Sequence, residues 1–162
     1  DGGKSDPNHP TNGSRHMFRP VAVERVIAHG EVIDFGGIEL QVHEHPGHTP
    51  GSTSYSMQVT EDGTTYNVAV INMGTINPGV SLLDQPSYPG IDNDFASTFS
   101  RQKVMDVDVW VSAHAGFYQL HQKYEPGQAY SPKTFYDPAG YLESINKFEQ
   151  IYLEQRSEEA QQ

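Results

Sequence analysis

An α/β fold, a mixed β-sheet flanked by helices, is the architecture that this sequence predicts. Short apolar runs with β-branched residues alternate with glycine turns through the first half of the chain. VDVWVS at 107–112 is a further strand that ends on small residues, and the C-terminal stretch carries apolar residues at helical spacing. Strands and helices mixed in this way pack as a sheet layer covered by helices.

Residues 1–16 are Gly, Asp, Asn, Pro and Ser with almost nothing apolar, which predicts a surface loop. VAVERVI at 21–27 alternates and reads as a strand. EVIDF and IELQVHE flank Gly36-Gly37, a dipeptide suited to the positive φ of a tight turn, and predict a hairpin from Glu31 to about Glu44. A loop carrying HEHPGHTPGS follows. TSYSMQV (53–59), the turn EDGT (61–64) and TYNVAVINM (65–73) form a second hairpin, whose later strand is apolar enough to be buried on both faces. NPGVSLLDQPSYPG (77–90) holds prolines and glycines throughout and predicts a long irregular loop.

Asp92 can cap a helix bearing Phe95, Phe99 and Gln102, and the strand at 107–112 then runs into Ala113-His114. In the last helix Asp137 is the cap and Pro138 the first residue; Tyr141, Ile145, Phe148 and Tyr152 recur on one face, and Glu143 and Lys147 form an i,i+4 pair. The chain has no repeats and no low-complexity segment.

The 162 residues are one domain's worth of chain. A formal charge of −11 repels phosphate backbones and anionic membrane surfaces, so nucleic acid is excluded as a partner class. No apolar run approaches the roughly 20 residues of a membrane helix. With no cysteine, disulfides, thiolate metal sites and a thiol nucleophile are all ruled out, which leaves His, Asp and Glu as metal ligands.

Three histidines fall within HEHPGH, at 43, 45 and 48. His43 and His45 are two apart at a strand end and share a face, as a solvated strand edge would, so they read as surface residues or as support for a neighbouring site. His48 differs. Zinc holds its nitrogens near 2.0–2.1 Å in a fixed tetrahedron, so a ligand must come from backbone that cannot wander. In PGHTPGS, Pro46 and Pro50 fix φ while Gly47 and Gly51 permit close approach and special dihedrals. The alternative is a histidine that happens to lie in a turn. His114, in SAHAG past the end of a strand, is the second candidate ligand, with a half-buried packing histidine as its alternative. His9, His16, His29 and His121 lie in polar surroundings and read as solvated.

PGHTPGS resembles the third histidine motif of the metallo-β-lactamase superfamily. GGKSD (2–6), FRPVAVERVIAHGEVIDFGG (18–37), NMGTI (72–76), YPGIDNDF (88–95) and SAHAGFYQLHQKY (112–124) are similar to the third subclass of metallo-β-lactamases, whose zinc ligands include no cysteine, in the same order and at similar spacing. HEHPGH does not copy the HxHxDH motif of that superfamily, because Gly47 stands where its Asp would be. The resemblance implies that residues 1–162 are one incomplete domain, the C-terminal part of an αββα sandwich that lacks HxHxDH. By position His48 would be a ligand of one zinc and His114 of the other, in a complete site of two Zn2+. Thr75 falls where relatives carry a small hydroxyl residue near the substrate carboxylate; its alternative is a residue that merely ends a strand.

The complete family site holds a hydroxide between two zincs. Zinc lowers the pKa of bound water to about 7 and polarises the lactam carbonyl, so the β-lactam amide opens without a covalent enzyme intermediate. One histidine per zinc cannot hold either metal, since a catalytic zinc takes three protein ligands. The parent protein is therefore expected to be a zinc β-lactam hydrolase, with this chain inactive until the N-terminal part or a second chain completes the site. The resemblance also implies export to the periplasm or beyond. The loop at 77–90 with Phe117 and Tyr118 would line the substrate, or those aromatics would pack in the core. The bared sheet would drive self-association by swapping or edge pairing. Two alternatives remain open: another hydrolase of the superfamily, a lactonase or thioesterase, and a non-catalytic module that keeps the scaffold.

Overall fold

The structure, a computed structural model, describes residues 22–161. The predicted surface loop at 1–16 lies outside the described residues. Five strands, β1 (Val32–Phe35), β2 (Ile38–Glu44), β3 (Thr53–Glu61), β4 (Thr64–Ile71) and β5 (Val109–Ser112), form one sheet in sequence order. Each pair is antiparallel except β4 and β5, which are parallel and joined through α1 (Ile91–Lys103). A short helix α2 (Leu120–Lys123) and the long α3 (Pro138–Glu159) follow.

Both hairpins turn where the glycines predict. Gly36 and Gly37 have φ of 66° and 92°, and Asp62-Gly63 have 49° and 76°, the paired left-handed conformations that match strand twist. The strand expected at 21–27 does not form in its described residues: nothing among the described residues pairs with it, and Val23 and Val26 stay 58% and 85% exposed. Alternation makes a strand only where a face is buried and an edge is paired.

Two details of the helices also differ from expectation. Gly90, in the left-handed conformation, is the N-cap of α1, and Asp92 caps nothing; its carboxylate instead accepts from Tyr152 Oη at 2.7 Å and from Arg156 Nε at 2.8 Å on α3. Glu143 and Lys147 form no ion pair; the ammonium lies over the Phe148 ring. Asp137 does cap α3, accepting from Gly140 N at 2.9 Å, with Pro138 next. Burial alone would raise the Asp137 pKa, but the Lys123 ammonium at 2.7 Å and the Gly140 N–H outweigh it and hold the carboxyl below its usual value.

The core lies between α1, α3 and the β4–β5 half of the sheet. Phe95, Phe99, Trp110, Tyr141 and Ile145 are at most 1% exposed, and the Tyr152 ring stacks on Phe95 at 5.6 Å and tilts against Phe99 at 5.8 Å. Burial of each such side chain contributes about 1.5–3 kcal/mol.

Register divides the sheet into two unlike faces. Gln41, His43, Ser56, Gln58 and Asn67 share the helix side with Ala69, Ile71 and Trp110; Leu40, Val42, Tyr55, Met57, Val59, Val68, Val70 and Val111 share the other. On that second face Val59 and Val70 are 39% and 40% exposed. β4 is therefore not buried on both faces as expected, because the described helices pack on one side only. Among the described residues no helix covers this apolar side, although Val42 within it is fully buried. In sedimentation velocity the isolated chain is expected to associate as concentration rises, and a compact monomer at high concentration would contradict this.

Candidate functional site

Direction along the sheet decides what can meet. β2, β4 and β5 run the same way, so the segments leaving their C-terminal ends, which carry His48, Thr75 and His114, gather at one end of the sheet. Ligand sites in α/β folds form at such ends.

His48 and Thr75 are in contact. The Thr75 carbonyl accepts from His48 Nδ1 at 2.8 Å, and Thr75 Oγ1 lies 3.0 Å from the same nitrogen. A carbonyl can only accept, so Nδ1 carries a proton, and in the neutral ring it is then Nε2 that has the lone pair for a metal. His114 is exposed, one strand over, past β5. Ser112 Oγ donates to Ile71 O at 2.8 Å and ties the end of β5 to β4. The His114 ring meets the Phe117 ring edge-on at 4.9 Å, and Phe117 meets Phe148 of α3 at 5.1 Å. Phe117 thus backs His114, while Tyr118 packs at 6.2 Å from Trp110. Among the described residues no three His, Cys, Asp or Glu side chains converge as a metal-holding group.

The loop around His48 is shaped from behind by α1. Gly47 has φ of 132°, and a Cβ there would sit 2.8 Å from the Phe95 ring; one on Gly74 would sit 2.8 Å from the Phe99 ring. Both glycines exist to let a ring touch backbone. Gly51, by contrast, has open space and no left-handed φ, so the bracketing expected on both sides of His48 acts on one side only.

Polar side chains of the same helix face complete the hold. Thr98 Oγ1 donates to Pro46 O at 2.6 Å, Arg101 to Glu44 O at 3.0 Å, and Gln102 Nε2 to Asn72 O at 2.8 Å. Tyr88 Oη, from the loop at 77–90, donates to Gly47 O at 3.3 Å. That loop is itself anchored by Glu159, whose carboxylate accepts from Leu82 N and Leu83 N, each at 2.8 Å. None of these roles was read from the sequence. The available signal was polar Thr98 and Gln102 recurring with Phe95 and Phe99 at the spacing of one buried face.

His45 corrects a second expectation. It is 1% exposed, not a surface residue. Ser54 Oγ accepts from Asn72 N at 2.9 Å, which leaves its own hydrogen for His45 Nδ1 at 2.7 Å, and Gln102 Nε2 approaches the same nitrogen at 3.2 Å. An amide N–H can only donate, so Nδ1 is an acceptor whose single lone pair the two donors share, and Nε2 carries the proton, buried with no partner among the described residues. Burial first, then the charges of His43, Arg101 and His29, push the pKa of His45 down to about 3. His43 stacks beside it at 6.0 Å, half-buried, with Nε2 on Ser56 Oγ at 2.7 Å. His29 and His121 are exposed, as expected, and His9 and His16 lie outside the described residues.

No protein-family profile matches the sequence. Solved structures do. A β-lactamase from Chitinophaga pinensis is 39% identical with a TM-score of 0.86, over 96% of this chain and 58% of its own. A metallo-β-lactamase from Elizabethkingia meningoseptica is 33% identical with a TM-score of 0.87, over 97% and 57%. A class B3 di-zinc metallo-β-lactamase from an Alaskan soil metagenome is 36% identical with a TM-score of 0.86, over 96% and 58%. In sequence and fold the chain is similar to the class B3 metallo-β-lactamases. It has the mixed sheet and flanking helices of that family and spans about 58% of the length of these relatives.

Two measurements test this geometry. Gly47→Ala forces a Cβ into Phe95 at a φ that L-residues avoid, and is expected to cost about 2–4 kcal/mol in urea unfolding, whereas Gly51→Ala is expected to stay within about 0.5 kcal/mol. For His45, the folded pKa lies below the ordinary 6.5, so the unfolded chain binds the extra proton first and stability falls as pH drops from 6.5 toward 3. At about 1.4 kcal/mol per pH unit the loss reaches roughly 5 kcal/mol at most, and His45→Gln should flatten the slope of unfolding free energy across that window.

Proposed function

We propose that this chain is the C-terminal part of a zinc-dependent hydrolase that opens the β-lactam amide bond, and that it is catalytically incomplete alone. The observation that carries the reading is the His48 imidazole, whose Nδ1 is committed to the Thr75 carbonyl at the sheet end where His114 also projects, in a chain similar to this family. An imidazole oriented in this way suits zinc, so the residues present fit that metal. His48 would hold one zinc and His114 the other.

When bound, zinc supplies a water activated near neutral pH and a polarised carbonyl. The chain's own residues orient and enclose. Thr75 holds His48 in the ligating tautomer through its carbonyl, and its hydroxyl, near Nδ1, would meet a substrate carboxylate. Phe117 braces His114. The loop at 77–90, held by Glu159 and Tyr88, would form a substrate wall.

The remaining ligands must come from residues that this chain does not span or from a second chain. Export to the periplasm or beyond fits this activity, and no helix among the described residues is long and apolar enough to cross a membrane. Elemental analysis of the full-length protein should give two zincs, and nitrocefin should be hydrolysed; His48→Ala and His114→Ala are each expected to lower kcat/KM at least about 100-fold. Cleavage of lactones or thioesters without lactam opening would assign a different hydrolase. Tight binding of two zincs by the isolated chain would refute its incompleteness.

A further inference from the structure

Gln102 is completely buried in α1, yet it touches both of the loops that form the site end of the sheet. One hydrogen of its carboxamide goes to Asn72 O at 2.8 Å, at the end of β4, three residues before Thr75. The other faces His45 Nδ1 at 3.2 Å, at the end of β2, three residues before His48. Its carbonyl oxygen accepts from nothing among the described residues. An amide group is planar, so its two N–H bonds are held at a fixed angle, and the two loops that accept them are held at a fixed separation. Ser54 repeats the link from the sheet side: its hydroxyl accepts from Asn72 N and donates to His45 Nδ1. His45 and Asn72 are thereby locked together twice, directly behind the residues whose contact fixes the tautomer of His48.

We infer that Gln102 is a positioning residue for the metal-ligating state of His48: by clamping the β2 and β4 loops to one another, it keeps the Thr75 carbonyl within reach of His48 Nδ1. This rests on the reading of His48 as a zinc ligand. Its physical core, the tautomer of a ring that Gln102 does not touch, can be measured without metal. The carboxamide acts at two removes, through backbone, and not by contact with substrate or zinc.

Gln102→Met in the full-length protein keeps the length of the side chain and removes both donors. In the metal-free protein labelled with 15N-histidine, wild type is expected to show His48 protonated at Nδ1, and the variant a mixture of the two neutral tautomers. In chelator competition the variant should bind zinc roughly 10- to 100-fold more weakly. Tyr152→Phe, which cuts the link from α3 to Asp92 away from these loops, should lower thermal stability and leave the tautomer and zinc affinity as in wild type. Gln102→Asn, which draws the carboxamide back from both acceptors, makes the same test if the methionine variant fails to fold. An unchanged His48 tautomer with zinc affinity within about twofold of wild type overturns the inference. Absence of zinc from the wild type would overturn the proposed function instead, and the tautomer comparison would still decide the role of Gln102.

Discussion

Two phenylalanine rings resting on glycine backbone set the geometry on which the remainder of the site depends. With no Cβ at Gly47 or Gly74, the Phe95 and Phe99 rings reach the chain itself, and α1 sits closer to the site loops than packing through side chains would allow. Only at that approach do side chains as short as Thr98 and Gln102 reach loop carbonyls. The bonds they make bring the His48 loop and the Thr75 segment together, and the Nδ1 bond follows from that.

The two faces of the sheet obey one rule in opposite ways. Where α1 and α3 cover the helix side, Ala69, Ile71 and Trp110 are buried; where nothing among the described residues covers it, the same side carries Gln41, Gln58 and Asn67. A solvated sheet face is polar, and this half conforms. The opposite face is apolar from β2 to β5. A surface of that composition is stable when something lies on it, and in the sandwich implied by the family resemblance a second sheet does.

Much of this was legible in the sequence because it is local. The glycine pairs at 36–37 and 62–63 gave away both hairpins, and Asp137-Pro138 marked the start of α3. PGHTPGS promised a loop stiffened on both sides of His48, but Gly47 is required by a ring that the segment itself does not contain, and Gly51 is not required at all. What escaped is long-range. His45 looks like a strand-edge residue until β3 and α1 close over it. The pairing of Asp92 with α3, in place of a cap, depends on Tyr152 and Arg156, some sixty residues away. VAVERVI at 21–27 alternates as a strand should and finds no neighbour among the described residues, because alternation records a preference and pairing supplies the structure.

Why the interior behind His48 is polar at all is a matter of direction. Aromatic rings against glycine hold α1 at the right height but tolerate sliding and rotation, since dispersion contacts favour no single orientation. Hydrogen bonds from Thr98, Arg101 and Gln102 to four loop atoms admit one rotation and one axial position only. That arrangement is not the most stable one available. His45 Nε2 and Gln102 Oε1 have no partner among the described residues, and a buried polar atom left unpaired costs about 1–3 kcal/mol, which an aliphatic pair in their place would avoid. A fold that accepts this cost beside its candidate ligand has exchanged stability for the placement of two loops.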